Sequence, residues 1–209
     1  MRASIGKVVC VGRNYAAHAQ ELGNEVPTTP MLFMKPASAV VSTRHGIVRP
    51  NPAIFGETHY EAELCIQLSA DLSEATIEEA KQAIGGVTLG LDLTLRELQT
   101  ELKAKGHPWE RAKCFDGACV LGDWLDPQTF GDFENVHYQL FINEALKQDG
   151  DSALMLFPVH KLLVNISHAF SLQAGDVIMT GTPSGVGVLQ AGDALILKLG
   201  AHEWQVQVK

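Results

Sequence analysis

What the chain lacks narrows its class first. It has no CxxC pair, and its four cysteines, Cys10, Cys65, Cys114 and Cys119, lie scattered, Cys10 and Cys65 inside apolar, strand-like runs. Buried free thiols in a reducing compartment explain that placement better than a disulfide framework does. No run of Lys or Arg occurs, and 16 basic residues face 24 acidic ones, for a formal net charge of −8. A phosphate backbone would find little to hold, so nucleic acid is excluded as a partner. No stretch approaches the ~18 consecutive apolar residues of a membrane-spanning helix. Residues 1–7 lack the apolar core and cleavage site of a signal peptide. The expectation is a cytoplasmic protein with no membrane partner. Repeats, low-complexity tracts and linkers are absent as well, which favours one domain over residues 1–209.

What is present is an ordinary globular composition, 46% hydrophobic and 19% charged, enough to bury a real core. Short apolar runs predict strands at residues 7–11, 31–34, 87–93, 138–142, 177–179, 194–199 and 203–208. Residues 59–68 alternate, with Glu61, Glu63 and Cys65 on one side and Ala62, Leu64 and Ile66 on the other. Helices are predicted at 15–22, where Gly23 suits the stop, and at 73–84 with Ser73 as cap. Two more are expected at 94–105, stopped by Gly106, and at 158–170. Strands outnumber helices, and Gly-Asp turns at 175–176 and 192–193 give the last third a hairpin character. The fold class expected is α+β and β-rich, built on a mixed or antiparallel sheet rather than a doubly wound one.

Three features could carry chemistry. Glu61 and Glu63, at i and i+2 of one strand, place two carboxylates side by side, an arrangement that repels unless a hard cation joins them. A solvated polar face is the plainer explanation. Asp92, at the end of an apolar strand, is a charge that needs a partner, although it could instead cap the helix after it. Together the three make an all-oxygen set suited to Mg2+ or Mn2+ and not to zinc. His18 and Glu21, one helical turn apart, could form a general base, or merely an exposed pair. Lys113, Arg13, Arg96 and Gln99 carry weight only if the fold brings them to those carboxylates. The loop Gly181-Thr182-Pro183-Ser184-Gly185-Val186-Gly187 has neither the ending of a Walker motif nor the βαβ setting of a dinucleotide fingerprint. Backbone N–H groups and the Thr182 hydroxyl presented to a carboxylate suit it better.

In this order the motifs resemble the fumarylacetoacetate hydrolase family. The matching pieces are Gly12-Arg13-Asn14-Tyr15 with His18 and Glu21, Phe33-Met34-Lys35-Pro36, and His59-Tyr60-Glu61-Ala62-Glu63. They continue with Leu91-Asp92-Leu93-Thr94, Arg96 and Gln99, then Pro108-Trp109, Ala112-Lys113 and the Gly181–Gly187 loop. The resemblance implies a mixed β-sandwich or β-roll domain, a homodimer, and a Mg2+ or Mn2+ site on Glu61, Glu63 and Asp92. It further implies a catalytic His18–Glu21 pair on a lid, with Lys113 catalytic and Arg13, Arg96, Gln99 and Thr182 contacting substrate. Cys114 departs from the Ser common after the family's Lys. The founding enzyme's large N-terminal domain has no counterpart here, which turns the expectation away from fumarylacetoacetate itself. The chain looks most like the small acylpyruvate hydrolases and oxaloacetate decarboxylases. The leading expectation is therefore hydrolysis of an acylpyruvate-type 2-oxo acid to pyruvate and a carboxylic acid. Oxaloacetate decarboxylation, keto–enol tautomerisation and dienoate isomerisation share its enolate and stand beside it. A catalytically silent metal- or metabolite-binding domain is the remaining alternative.

Overall fold

A computed structural model describes residues 4–209; residues 1–3, part of the stretch read for a signal peptide, lie outside the described residues. In chain order the first half runs β1 (Lys7–Gly12), α1 (Ala16–Glu21), β2 (Met31–Pro36), β3 (Val40–Ser42), α2 (Pro52–Phe55), β4 (Thr58–Tyr60) and β5 (Ala62–Leu68). It continues with α3 (Ile77–Gln82), β6 (Ile84–Asp92), β7 (Thr94–Leu95), α4 (Arg96–Ala104) and α5 (Glu110–Lys113). The second half adds β8 (Cys119–Leu121), β9 (His137–Ile142), β10 (Ala145–Asp151), α6 (Val159–Ala169) and β11 (Val177–Met179). Last come β12 (Gly187–Val188), β13 (Ala194–Leu199) and β14 (His202–Gln207).

The strands form a seven-stranded sheet in the order β2-β1-β11-β5-β6-β8-β3, a four-stranded sheet β10-β9-β13-β14 and a three-stranded one β12-β4-β7. In the large sheet β1–β11 and β3–β8 run parallel and the other neighbours antiparallel, so the sheet is mixed, as expected. Leu64, Ile66, Leu89 and Leu91 on one face share a core with Leu140, Leu195 and Leu197 of the four-stranded sheet and with Leu162 and Ile166 of α6. On the opposite face Val8, Cys10, Cys65, Cys119, Val177 and Met179 make a second core. All seven residues of β5 are therefore buried: its alternation separates two covered faces rather than core from water. All four cysteines are free. Among the described residues no helix is long and apolar enough to cross a membrane.

Four local expectations are corrected. Residues 59–68 are not one strand: the chain turns at Glu61, with β4 in the three-stranded sheet and β5 in the large one. Residues 94 and 95 are extended and pair with His59 and Thr58, so α4 begins at Arg96. Its cap position, Leu95, makes no side-chain bond, so Asp92 caps nothing. Ser73 does not cap α3 either; its hydroxyl meets that of Ser171, and Glu74 has a left-handed φ of 48°, which a helix cannot contain. Thr76 caps instead, closing a capping box with Glu79. Strand β10 escaped the periodicity reading because its polar sequence ALKQDGD leaves it largely exposed at a sheet edge.

Candidate functional site

The turn at Glu61 creates the site. Where β4 gives way to β5, the neighbouring β6 gives way to β7, and the Asp92 amide donates to the Glu61 carbonyl at 2.8 Å. Two chains thus leave one sheet for another side by side, carrying Glu61 and Asp92 with them. Glu63 stands opposite Gly90 on the same strand pair. All three carboxylates are buried, and one oxygen from each lies within 4.8 Å of the other two.

Cations crowd around this trio. Lys113 Nζ donates to Glu61 Oε2 at 2.9 Å, Asp92 Oδ2 at 2.8 Å and Thr94 Oγ1 at 2.6 Å. Arg96 donates to Glu61 Oε1 and, at 2.9 Å, to Gln99 Oε1. Lys35 Nζ lies 2.8 Å from Asp92 Oδ1 as an ion pair, but off the hydrogen-bonding direction, so that oxygen has no hydrogen-bond partner. Burial works against ionisation of Glu61, yet Lys113 and then Arg96 hold its carboxyl far below the usual range. Glu63 goes the other way: burial first, then Asp92 and Glu61, push its carboxyl well up. Lys113 stays charged against its burial because Asp92 and Glu61 face it. A buried trio of hard oxygen donors, one of them pushed toward its neutral form by burial and then by the others, fits a divalent oxophilic cation. Bound there, the cation would let all three ionise.

Glu63 is fixed from below by the loop after β11. The Gly181 amide donates to Glu63 Oε2 at 2.7 Å, while the Thr182 hydroxyl donates to Ala62 O at 2.9 Å and accepts from Gln148 Nε2 at 2.8 Å. The carboxylate met by the loop's N–H is thus the protein's own. Gly181 has φ +100°, and a Cβ there would stand 2.6 Å from Asn14 Cβ. Gly181→Ala is expected to destabilise the fold by about 2 kcal/mol and to weaken divalent-cation binding, as read by thermal melts with and without Mn2+.

His18 and Glu21 meet as expected across one turn of α1, Nδ1 to Oε2 at 3.2 Å. The other Glu21 oxygen accepts from the Gly185 amide at 2.9 Å, which ties α1 to the same loop. His18 is 4% exposed, and Nδ1, not Nε2, is the ring nitrogen that Glu21 engages. Arg13 holds a left-handed φ of 62°, strain of the kind met at binding sites, and donates to Asn24 Oδ1 at 2.7 Å. A cavity of about 40 Å³ is lined by Arg13, His18, the three carboxylates, Arg96, Gln99, Lys113 and Thr182. Every site residue anticipated from the sequence lines it except Glu21, which stands behind His18. Leu22 and Asn24, just after α1, line it as well.

Residues 7–207 match the family described as fumarylacetoacetate (FAA) hydrolase C-terminal. The chain belongs to the fumarylacetoacetate hydrolase family. It is 42% identical over 205 residues to the oxaloacetate tautomerase YcgM of Escherichia coli K12, covering 98% of this chain and 93% of that one. It is 38% identical over 223 residues to the mitochondrial oxaloacetate tautomerase FMP41 of Saccharomyces cerevisiae, covering 92% and 86%. The crystal structure of a fumarylpyruvate hydrolase from Pseudomonas aeruginosa, in complex with Mn2+ and pyruvate, superposes with a TM-score of 0.90. Its identity is 32%, and the match covers 98% of this chain and 89% of that one.

Four residues on or behind this cavity escaped functional assignment from sequence. Lys35, fully buried against Asp92, stands in the apolar run Met-Leu-Phe-Met, where a lone charge was the available signal. Asn14 bonds Thr180 O, Phe157 O and Phe157 N, and so pins the strained turn at Arg13. Gln148 joins Ala62 N to Thr182 and Pro183 from a polar edge strand, and nothing local marks it. Lys103 also lines the cavity, at seven residues from Arg96 on the same helix.

Proposed function

We propose that the chain is a divalent-cation-dependent keto–enol tautomerase of oxaloacetate, acting as a single catalytic domain over residues 1–209. The observation that supports it is the His18–Glu21 pair set on the same cavity as the buried trio Glu61, Glu63 and Asp92. The two relatives named as oxaloacetate tautomerases, alike over nearly the whole chain, support the substrate.

Glu61, Glu63 and Asp92 would hold Mg2+ or Mn2+, which, when bound, supplies positive charge to the carboxylate and 2-oxo group of the substrate. Glu21 orients the His18 ring, so Nε2 can take a proton from C3. The C–H electron pair becomes the C2–C3 double bond, the C2–O π pair moves onto the oxygen, and that oxygen takes up the proton that His18 then releases. The Lys113 ammonium stabilises negative charge developing on that oxygen. Arg96, Gln99, Arg13 and Thr182 contact the substrate, and the segment from Leu22 to Thr29 excludes water.

Hydrolysis of an acylpyruvate, the first expectation from sequence, is the second reading. The likeness to a fumarylpyruvate hydrolase supports it, and His18 would then deprotonate a water instead of C3. Decay of the enol absorbance of oxaloacetate, alongside pyruvate release from oxaloacetate and from acetylpyruvate, separates the readings, each run with Mg2+ and with EDTA. EDTA-sensitive enol decay without pyruvate supports the tautomerase; pyruvate from acetylpyruvate alone overturns it. Glu61→Gln is expected to lower Mn2+ affinity at least tenfold, the scale of losing a charged interaction, with the fold retained. Calorimetric titration with Mn2+ checks this, and unchanged affinity removes Glu61 from the cation site. A homodimer and a cytoplasmic setting belong to the same proposal; light scattering tests the first.

A further inference from the structure

Of the four cations lining the cavity, two have carboxylate partners: Arg96 bonds Glu61, and Lys113 bonds Glu61 and Asp92. The other two, Arg13 and Lys103, form no ion pair among the described residues. Arg13 donates to the neutral Asn24. The Lys103 ammonium lies over the Trp109 ring, 4.8 Å from its centroid, where a cation–π contact holds it in place without neutralising it.

Lys103 shares a face of α4 with Arg96 and Gln99, at spacings of seven and four residues. Side chains on a helix lean toward its N-terminus, so Lys103 leans back toward the end that carries Arg96 and Gln99, and it lines the same cavity as the trio. Burial, then Arg13, Arg96 and Lys113, lower its pKa to about 8; the charge is crowded by its own sign. Four lining cations and Lys35 already face three carboxylates. An arriving divalent cation leaves this wall still richer in positive charge, more than a singly charged 2-oxo acid can offset.

We propose that Lys103, steadied by Trp109, receives the second carboxylate of a dicarboxylic 2-oxo acid and so selects dianionic over monoanionic substrates. This rests on the oxaloacetate reading above. It assigns Lys103 to specificity and not to proton transfer.

The test is binding, with turnover measured in parallel. Calorimetry with Mg2+ present compares oxaloacetate with its 4-ethyl ester, which keeps the 2-oxo acid end and loses the distal charge. The native protein is expected to bind oxaloacetate more tightly than the ester. Lys103→Met is expected to raise the Kd for oxaloacetate roughly tenfold to a hundredfold, the range carried by a hydrogen bond to a charged group, and to leave the ester's Kd in place. Lys103→Arg restores the preference. Equal affinity of the native protein for the two ligands, or equal weakening of both by Lys103→Met, overturns the assignment. A Lys103-dependent preference for oxaloacetate with no acceleration of enol decay upholds the assignment and removes the tautomerase reading instead.

Discussion

His18→Gln is expected to lower kcat for oxaloacetate enol decay by about 10²- to 10⁴-fold, the span ordinarily lost with a positioned general base. Glutamine is close in size and can keep a polar contact to Glu21, but it cannot accept a proton from carbon. The ring sits in a buried place beside the cavity, 3.2 Å from Glu21 and on a different element from all three carboxylates. Mn2+ affinity and thermal midpoint should therefore hold while turnover collapses. Enol decay followed optically, with Mn2+ calorimetry on the same preparation, checks both halves. Undiminished kcat would remove His18 from the chemistry and overturn the proton transfer assigned to it.

The second large effect concerns Lys113. Its ammonium contacts two buried carboxylates and a buried hydroxyl at once. Replacing it with methionine keeps most of the side chain's length and leaves the two carboxylates without that cation. In EDTA, Lys113→Met is expected to lose about 3–5 kcal/mol of stability, the cost of breaking a buried pair from one side. Two conditions shape the result. Arg96 and Lys35 remain beside Glu61 and Asp92, which places the loss toward the lower end. Mn2+ should recover much of it, since a divalent ion answers the same carboxylates. Chemical denaturation in EDTA and in Mn2+ measures the difference. Equal stability of variant and native protein in EDTA would mean that the ammonium contributes nothing to holding the trio together.

The carboxylates were legible because side-chain parity along a strand is local information: Glu61 and Glu63 share a side whatever the strand later pairs with. Asp92 was legible because a charge ending an apolar run requires a partner. The same locality explains the misses. Parity could not show that the chain turns at Glu61, because β4 and β5 differ only in which strands they pair with, β7 and β12 on one hand and β6 and β11 on the other. Thr94 and Leu95 read as helix from their neighbours, yet backbone pairing with Thr58 and His59 keeps them extended. Gln148 matters through contacts 34 and 86 residues away, a span that no window along the chain covers. Lys35 announced itself as a charge among apolar residues, but its partner Asp92 emerges only when β2 and β6 are placed in one sheet.

The double passage of chain at Glu61 and Asp92 has an evolutionary consequence. The carboxylates occupy the corner that joins two sheets, so moving either one means rebuilding the frame itself. Arg13, Leu22, Asn24 and Lys103 stand on a turn, a loop and one face of a helix, which can drift without disturbing that corner. Descendants of such a scaffold would inherit how the ion is held as a fixed trait. Which acid is welcomed would remain open to revision, one side chain at a time.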